Sequence, residues 1–174
     1  MLYRLFVPSQ AVGASLKYFD LWHPASSGII LKLISLKPVV SGAVAVTGLV
    51  AVDLFLQRTT AIGTGGTAAT AEGTSQTACT ISGHDNTQGI QGGITARLGP
   101  TGGATAGAVI GSTSVYTEES SAGTYIQIDG MVRFSQIDIP GLTIFPGSGV
   151  AVIQGSVASV GNIGFNAIFD VQVK

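Results

Sequence analysis

Apolar and polar residues alternate with period two through much of this chain. In residues 38–58, PVVSGAVAVTGLVAVDLFLQR, the residues Val44, Val46, Val50, Val52, Leu54 and Leu56 take even positions, while Ala43, Ala45, Thr47, Ala51, Asp53 and Gln57 take odd ones. Such alternation predicts a strand with one buried face over 43–58, bent at Gly48. The last segment, 162–174, repeats the pattern: Ile163, Phe165, Ala167, Phe169, Val171 and Val173 face one way, and Asn162, Asn166, Asp170, Gln172 and Lys174 the other. Ile168 is the exception on its wet face. Residues 29–37 behave differently, because both parities are largely apolar. This strand is expected to be covered on both sides, inside a sandwich or at a subunit contact, with Lys32 and Lys37 as interface or rim positions.

Turn residues punctuate these runs. SLKYFDLWH (15–23) reads as a first strand, which His23-Pro24-Ala25-Ser26-Ser27-Gly28 turns and 29–37 returns. Further strands are expected near 76–82, 90–98 and 106–110, over 123–139, and as two strands within 142–155 joined by Pro146-Gly147-Ser148-Gly149. No amphipathic helical pattern survives for three turns. The expected fold is all-β, an antiparallel β-sandwich of jelly-roll type. Residues 1–14 read as an extended N-terminal arm and 15–174 as one domain, with 59–114 a loop-rich, insertion-like region of Gly, Thr and Ala. No fixed repeat suggests a solenoid.

Composition narrows the function classes. At 174 residues the chain can build one real core, and only 10% of it is charged. Residues 1–58 carry five basic and two acidic residues, +3, and residues 59–174 three basic and seven acidic, −4, which returns the net −1. Without a basic block, nucleic acid is not an expected partner. The uncharged core of the best membrane candidate, Pro38 to Val52, is fifteen residues. That is short of the roughly 20 a spanning helix needs. No membrane partner is expected either. Leu5-Phe6-Val7 before Pro8 is too short for the apolar region of a signal peptide.

Little here looks like chemistry. Cys79, His84 and Asp85 lack the further Cys or His ligands of a zinc site, and His23 is the one other histidine. Ser82, His84 and Asp85 are too close in sequence for a triad assembled in space. The glycine-rich stretches lack the Gly-Lys-Ser/Thr end of a phosphate loop. Glu118-Glu119 supplies too few oxygens to cage calcium. Trp22, with Tyr18 and Phe19, reads as core or interface packing. No catalytic residue, cofactor or metal is expected, and the chain does not read as an enzyme.

Several motifs in order resemble a class of small tailed-phage virion structural proteins of the β-sandwich decoration or cement type. The turn His23-Pro24-Ala25-Ser26-Ser27-Gly28 stands where that class has an Asn/His-Pro-x-x-Ser-Gly turn. A middle region rich in Ala, Thr and Pro includes Leu98-Gly99-Pro100-Thr101-Gly102-Gly103, and a late Pro-Gly-x-Gly hairpin is matched by Pro146-Gly147-Ser148-Gly149. Asn is commoner than His at the position of His23. The resemblance implies a virion part at the capsid surface, assembled in the host cytoplasm, with the major capsid protein and itself as partners. A homo-oligomer is expected, a trimer being compatible with the symmetry. Leu2, Tyr3, Leu5, Phe6 and Val7 of the arm, with Lys32 and Lys37, are the expected interface residues. A tail-fibre or adhesin domain that binds host carbohydrate is the first alternative, and the capsid shell subunit the second.

Overall fold

Period-two segments cannot bury their apolar side alone, so two sheets face each other across one core. The computed structural model describes residues 1–41, 50–71, 77–83, 91–102, 106–117, 132–133 and 141–173. The first sheet contains β1 (Leu2–Ala11), β3 (Ile29–Ser41), β6 (Thr70–Ala71), β7 (Thr80–Gly83), β10 (Val132–Arg133), β11 (Leu142–Ile144) and β13 (Asn162–Val173). The second contains β2 (Lys17–His23), β4 (Val50–Thr59), β5 (Thr67–Ala68), β8 (Thr95–Leu98), β9 (Ala106–Thr117) and β12 (Ser148–Gln154). A single 3-10 turn, Gln91–Gly93, precedes β8. The first sheet runs β10-β3-β13-β1-β7-β6, with β11 also on β3, and the second runs β5-β8-β2-β12-β4-β9. Apart from the short β6–β7 pair, the pairings are antiparallel. The chain is all-β, and its two sheets form a sandwich.

The long strands alternate between sheets. β1, β3 and β13 lie in one, β2, β4 and β12 in the other. The final strand β13 lies between β1 and β3, and β12 lies between β2 and β4. Their connections therefore cross the sandwich, which corrects the hairpins expected at two places. His23 to Gly28 carries the chain from β2 to β3, which do not pair. Pro146-Gly147 likewise joins β11, paired to β3, to β12, paired to β2 and β4.

The residues expected in an arm are a correction of a second kind. β1 is hydrogen-bonded to β13 on one side and to β7 on the other, and Tyr3, Leu5 and Val7 are at most 1% exposed. An alternating Leu-Tyr-Arg-Leu-Phe-Val run that buries every second side chain is a strand, and its burial is what holds it in the sheet.

Where the alternation was strict and the residues are described, it held; the expected stretch 43–49, with its bend at Gly48, lies outside the described residues. Val52, Leu54 and Leu56 are fully buried while Ala51 and Asp53 are exposed, and Ile163 to Val171 face the core on odd positions. In β2 a bulge breaks it. Val152 pairs with Phe19 but Ile153 with Lys17, so Tyr18 is the extra residue. Both Tyr18 and Phe19 then pack against Phe165, with ring centroids 5.1 and 5.5 Å away. Strict alternation would set Tyr18 on the face of Asp20 and Trp22, and the bulge turns it into the core instead. β3 has one core face, Ile29, Leu31 and Leu33, whereas Ile30, Lys32 and Ile34 are half-exposed. Its second face is not covered by this chain's described residues.

Candidate assembly surface

Two crossings lie side by side at one end of the sandwich. The last residue of β2, His23, is fully buried, and its Nδ1 donates to the carbonyl of Ile144 at the end of β11 (2.7 Å). Its other ring nitrogen bonds to the Ser27 hydroxyl within its own turn. Gly147 N–H returns a bond to the His23 carbonyl (2.8 Å), and Ser148 N–H closes its turn on Phe145 (3.1 Å). Gly28 and Gly147 take positive φ, 64° and 73°, where a side chain would strain the turn. The histidine thus joins motifs more than 100 residues apart in sequence. Sequence reading placed it only in a turn. The available signal was a histidine closing an apolar strand immediately before Pro24.

A second polar centre pins the insertion. Asp20 lies on the outer side of β2 yet is only 2% exposed, with Gly63 packed against its carboxylate and Pro100 beside Gly63. Its Oδ2 accepts from Gly63 N–H at 2.7 Å. A Cβ at position 63 would collide with that oxygen and stand 2.8 Å from Pro100 Cβ, so the approach needs glycine. Thr64 N–H donates to the Gly102 carbonyl (2.6 Å), and Thr101 N–H donates back to Thr64 (3.0 Å). Arg97, the register partner of Asp20 on β8, donates from its guanidinium to the Gly65 carbonyl (2.9 Å). Oδ1 of Asp20 has no well-formed hydrogen bond among the described residues. Burial pushes the Asp20 carboxyl above its ordinary value, against the pull of the Gly63 and Arg97 N–H groups and of the Arg97 charge.

The outer side of the first sheet presents a half-apolar surface. Leu2 and Ile168 are exposed, Phe6, Ile30 and Ile34 are half-exposed, and Arg4, Lys32 and Lys37 stand among them. Register sets Lys32 beside Asp170 and Asp170 beside Leu2. Asp170 Oδ1 accepts from the Met1 amine (2.7 Å), and Gln172 Nε2 donates to its Oδ2 (2.7 Å). Partial burial pushes this carboxyl up, but those two hydrogen bonds and the charges of the amine and Lys32 outweigh it and hold the group below the usual carboxylate range. Of the expected interface residues, Leu2, Phe6, Lys32 and Lys37 therefore meet on one surface. Tyr3, Leu5 and Val7 do not, because they are in the core.

The cleft lined by Leu2, Tyr3, Arg4 and Ile168 is about 40 Å³. That admits a water but not a metabolite, whose pockets start near 300 Å³. Among the described residues no three His, Cys, Asp or Glu side chains gather as metal ligands. The Cys79 thiol is pushed up to about 12, first by burial and then by the charge of Asp20. It is a protonated core residue at neutral pH. His84, Asp85, Glu118 and Glu119 lie outside the described residues, as do most of the strands expected over 123–139. No described helix is long and apolar enough to cross a membrane. No family model, curated protein or solved structure matches the chain.

Proposed function

We propose that this protein is a virion structural protein, a decoration or cement subunit of a tailed-phage capsid, without enzymatic activity. The observation that carries the reading is the His23 corner. Two of the motifs that resemble the phage class, His23–Gly28 and Pro146–Gly149, are separate in sequence and adjoin through His23, Ile144 and Gly147. Motifs that form one structural unit are a stronger resemblance than motifs that share only an order.

We read the sandwich as a jelly roll. What supports this is the nesting of strands from the two chain ends, β1-β13-β3 in one sheet and β2-β12-β4-β9 in the other. In the proposed mechanism the sandwich is a rigid body that buries its outer first-sheet surface against the major capsid protein. Leu2, Phe6, Ile30 and Ile168 supply apolar area, and Lys32 and Lys37 supply charge. Copies also contact one another, and many weak contacts on a symmetric shell add up through multivalency. The site of action is the capsid surface, with assembly in the host cytoplasm. The glycan-binding alternative calls for an exposed aromatic cluster; of Trp22, Tyr18 and Phe19, the last two are buried and Trp22 is half-exposed.

Quantitative mass spectrometry of purified particles tests the reading. A copy number comparable to the shell protein is expected. A handful of copies per particle transfers the chain to a tail fibre, and its absence removes the virion role.

A further inference from the structure

A sheet edge is an open row of N–H and C=O groups, and natural sheets keep edges short, charged or interrupted by proline. Among the described residues, three of the four edges here are short. β5 and β6 have two residues each, and β10 and β11, sharing one edge of β3, have two and three. β9 departs from this. It has 12 residues, ends its sheet among the described residues, and its sequence AGAVIGSTSVYT contains neither a charge nor a proline. Two register shifts interrupt it before Gly111, but Gly111 to Thr117 runs unbroken against Leu56 to Val50.

Exposed apolar groups gather at the same edge. Val109 and Tyr116 on β9 are 53% and 49% exposed. The exposed Val157 and Val160 lie elsewhere, in the loop after β12, where Ser159 Oγ donates to the Ala51 carbonyl (3.1 Å) on the β12 side of β4. Among the described residues, the acid beside this edge is Asp53, which is taken up by Ser114 Oγ at 2.6 Å within the same molecule.

We propose that β9 is the edge through which two copies of this chain join. Their β9 strands run antiparallel about a two-fold axis at Ser114, and the two second sheets continue as one. Around that axis Ser112 faces Tyr116 of the second copy, small against large, and Thr113 faces Val115. A second copy is the occupant because self-pairing sets each residue opposite one from the same short strand. A charged strand would then oppose like charges, and β9 has none. The contact specifies how subunits of the proposed assembly associate, and it rests on that reading for its role.

The test uses the full chain. Sedimentation over a concentration series should show a dimer. Single cysteines placed as Ser112→Cys, Ser114→Cys and Tyr116→Cys should cross-link under mild oxidation most strongly at 114, the position nearest its own copy. Cys79, 1% exposed, should not compete. The double variant Ser112→Lys/Tyr116→Lys should weaken the dimer roughly tenfold or more while melting as the parent does. A monomer at every concentration, an undiminished dimer in the lysine variant, or cross-linking without a maximum at 114 overturns the proposal. If the lysine pair unfolds the chain, the cysteine pattern decides. A dimer that is absent from particles keeps the edge and removes only its virion role.

Discussion

Asp20 and Asp170 act in opposite directions on stability. Asp170 has a lowered folded-state value, so its contribution is present above the ordinary Asp value and is lost as pH falls through the folded one. Asp20 has a raised folded-state value. The native state then binds the proton more tightly, and stability falls as pH rises from about 3.9 to that raised value. Urea midpoints across this window should show the decline in the parent and lose it in Asp20→Asn; an unchanged slope would mean that Asp20 is solvated. His23→Ala removes the donor from the Ile144 carbonyl and leaves a buried void. It should cost about 2–4 kcal/mol by equilibrium denaturation. A loss below about 1 kcal/mol would show that the corner holds without the imidazole.

Among the elements, β1 decides most. An arm could be removed without loss of fold, whereas β1 is an interior strand whose hydrogen bonds join β13 to β7. Deleting residues 1–12 should abolish cooperative thermal unfolding in circular dichroism; a truncated chain that still melts cooperatively would restore the arm. The alternation of Leu2 to Val7 was present in the sequence, but the run is short and stops at Pro8. Nothing local says whether such a run has neighbours on both sides. The β2 bulge was equally hidden, since Tyr18 enters the core because of its pairing with β12 and not because of its own sequence.

At the scale of the molecule, three basic residues share one described face. Arg4, Lys32 and Lys37 stand on one outer face, and six of the nine acids, Glu72, Asp85, Glu118, Glu119, Asp129 and Asp138, fall in segments outside the described residues. Three of the five basic residues of 1–58 thus share one face, with Asp170 beside Lys32. If this face meets the shell, Lys32→Glu/Lys37→Glu should weaken binding to undecorated particles by roughly tenfold and alter its salt dependence. Unchanged binding would move the shell contact to another face.

Strand periodicity and the sandwich class were written in the sequence, because a strand's two faces are set by neighbouring residues on the same segment. The inward parity of β4 and β13 could be read for that reason. Which segments pair, where the chain crosses between sheets, and which apolar runs are interior were decided only in three dimensions. His23 with Ile144, Asp20 with Gly63 and β1 with β13 are contacts between distant positions. Local pattern carries no information about such partners, since their energy exists only once the sheets have closed on one another.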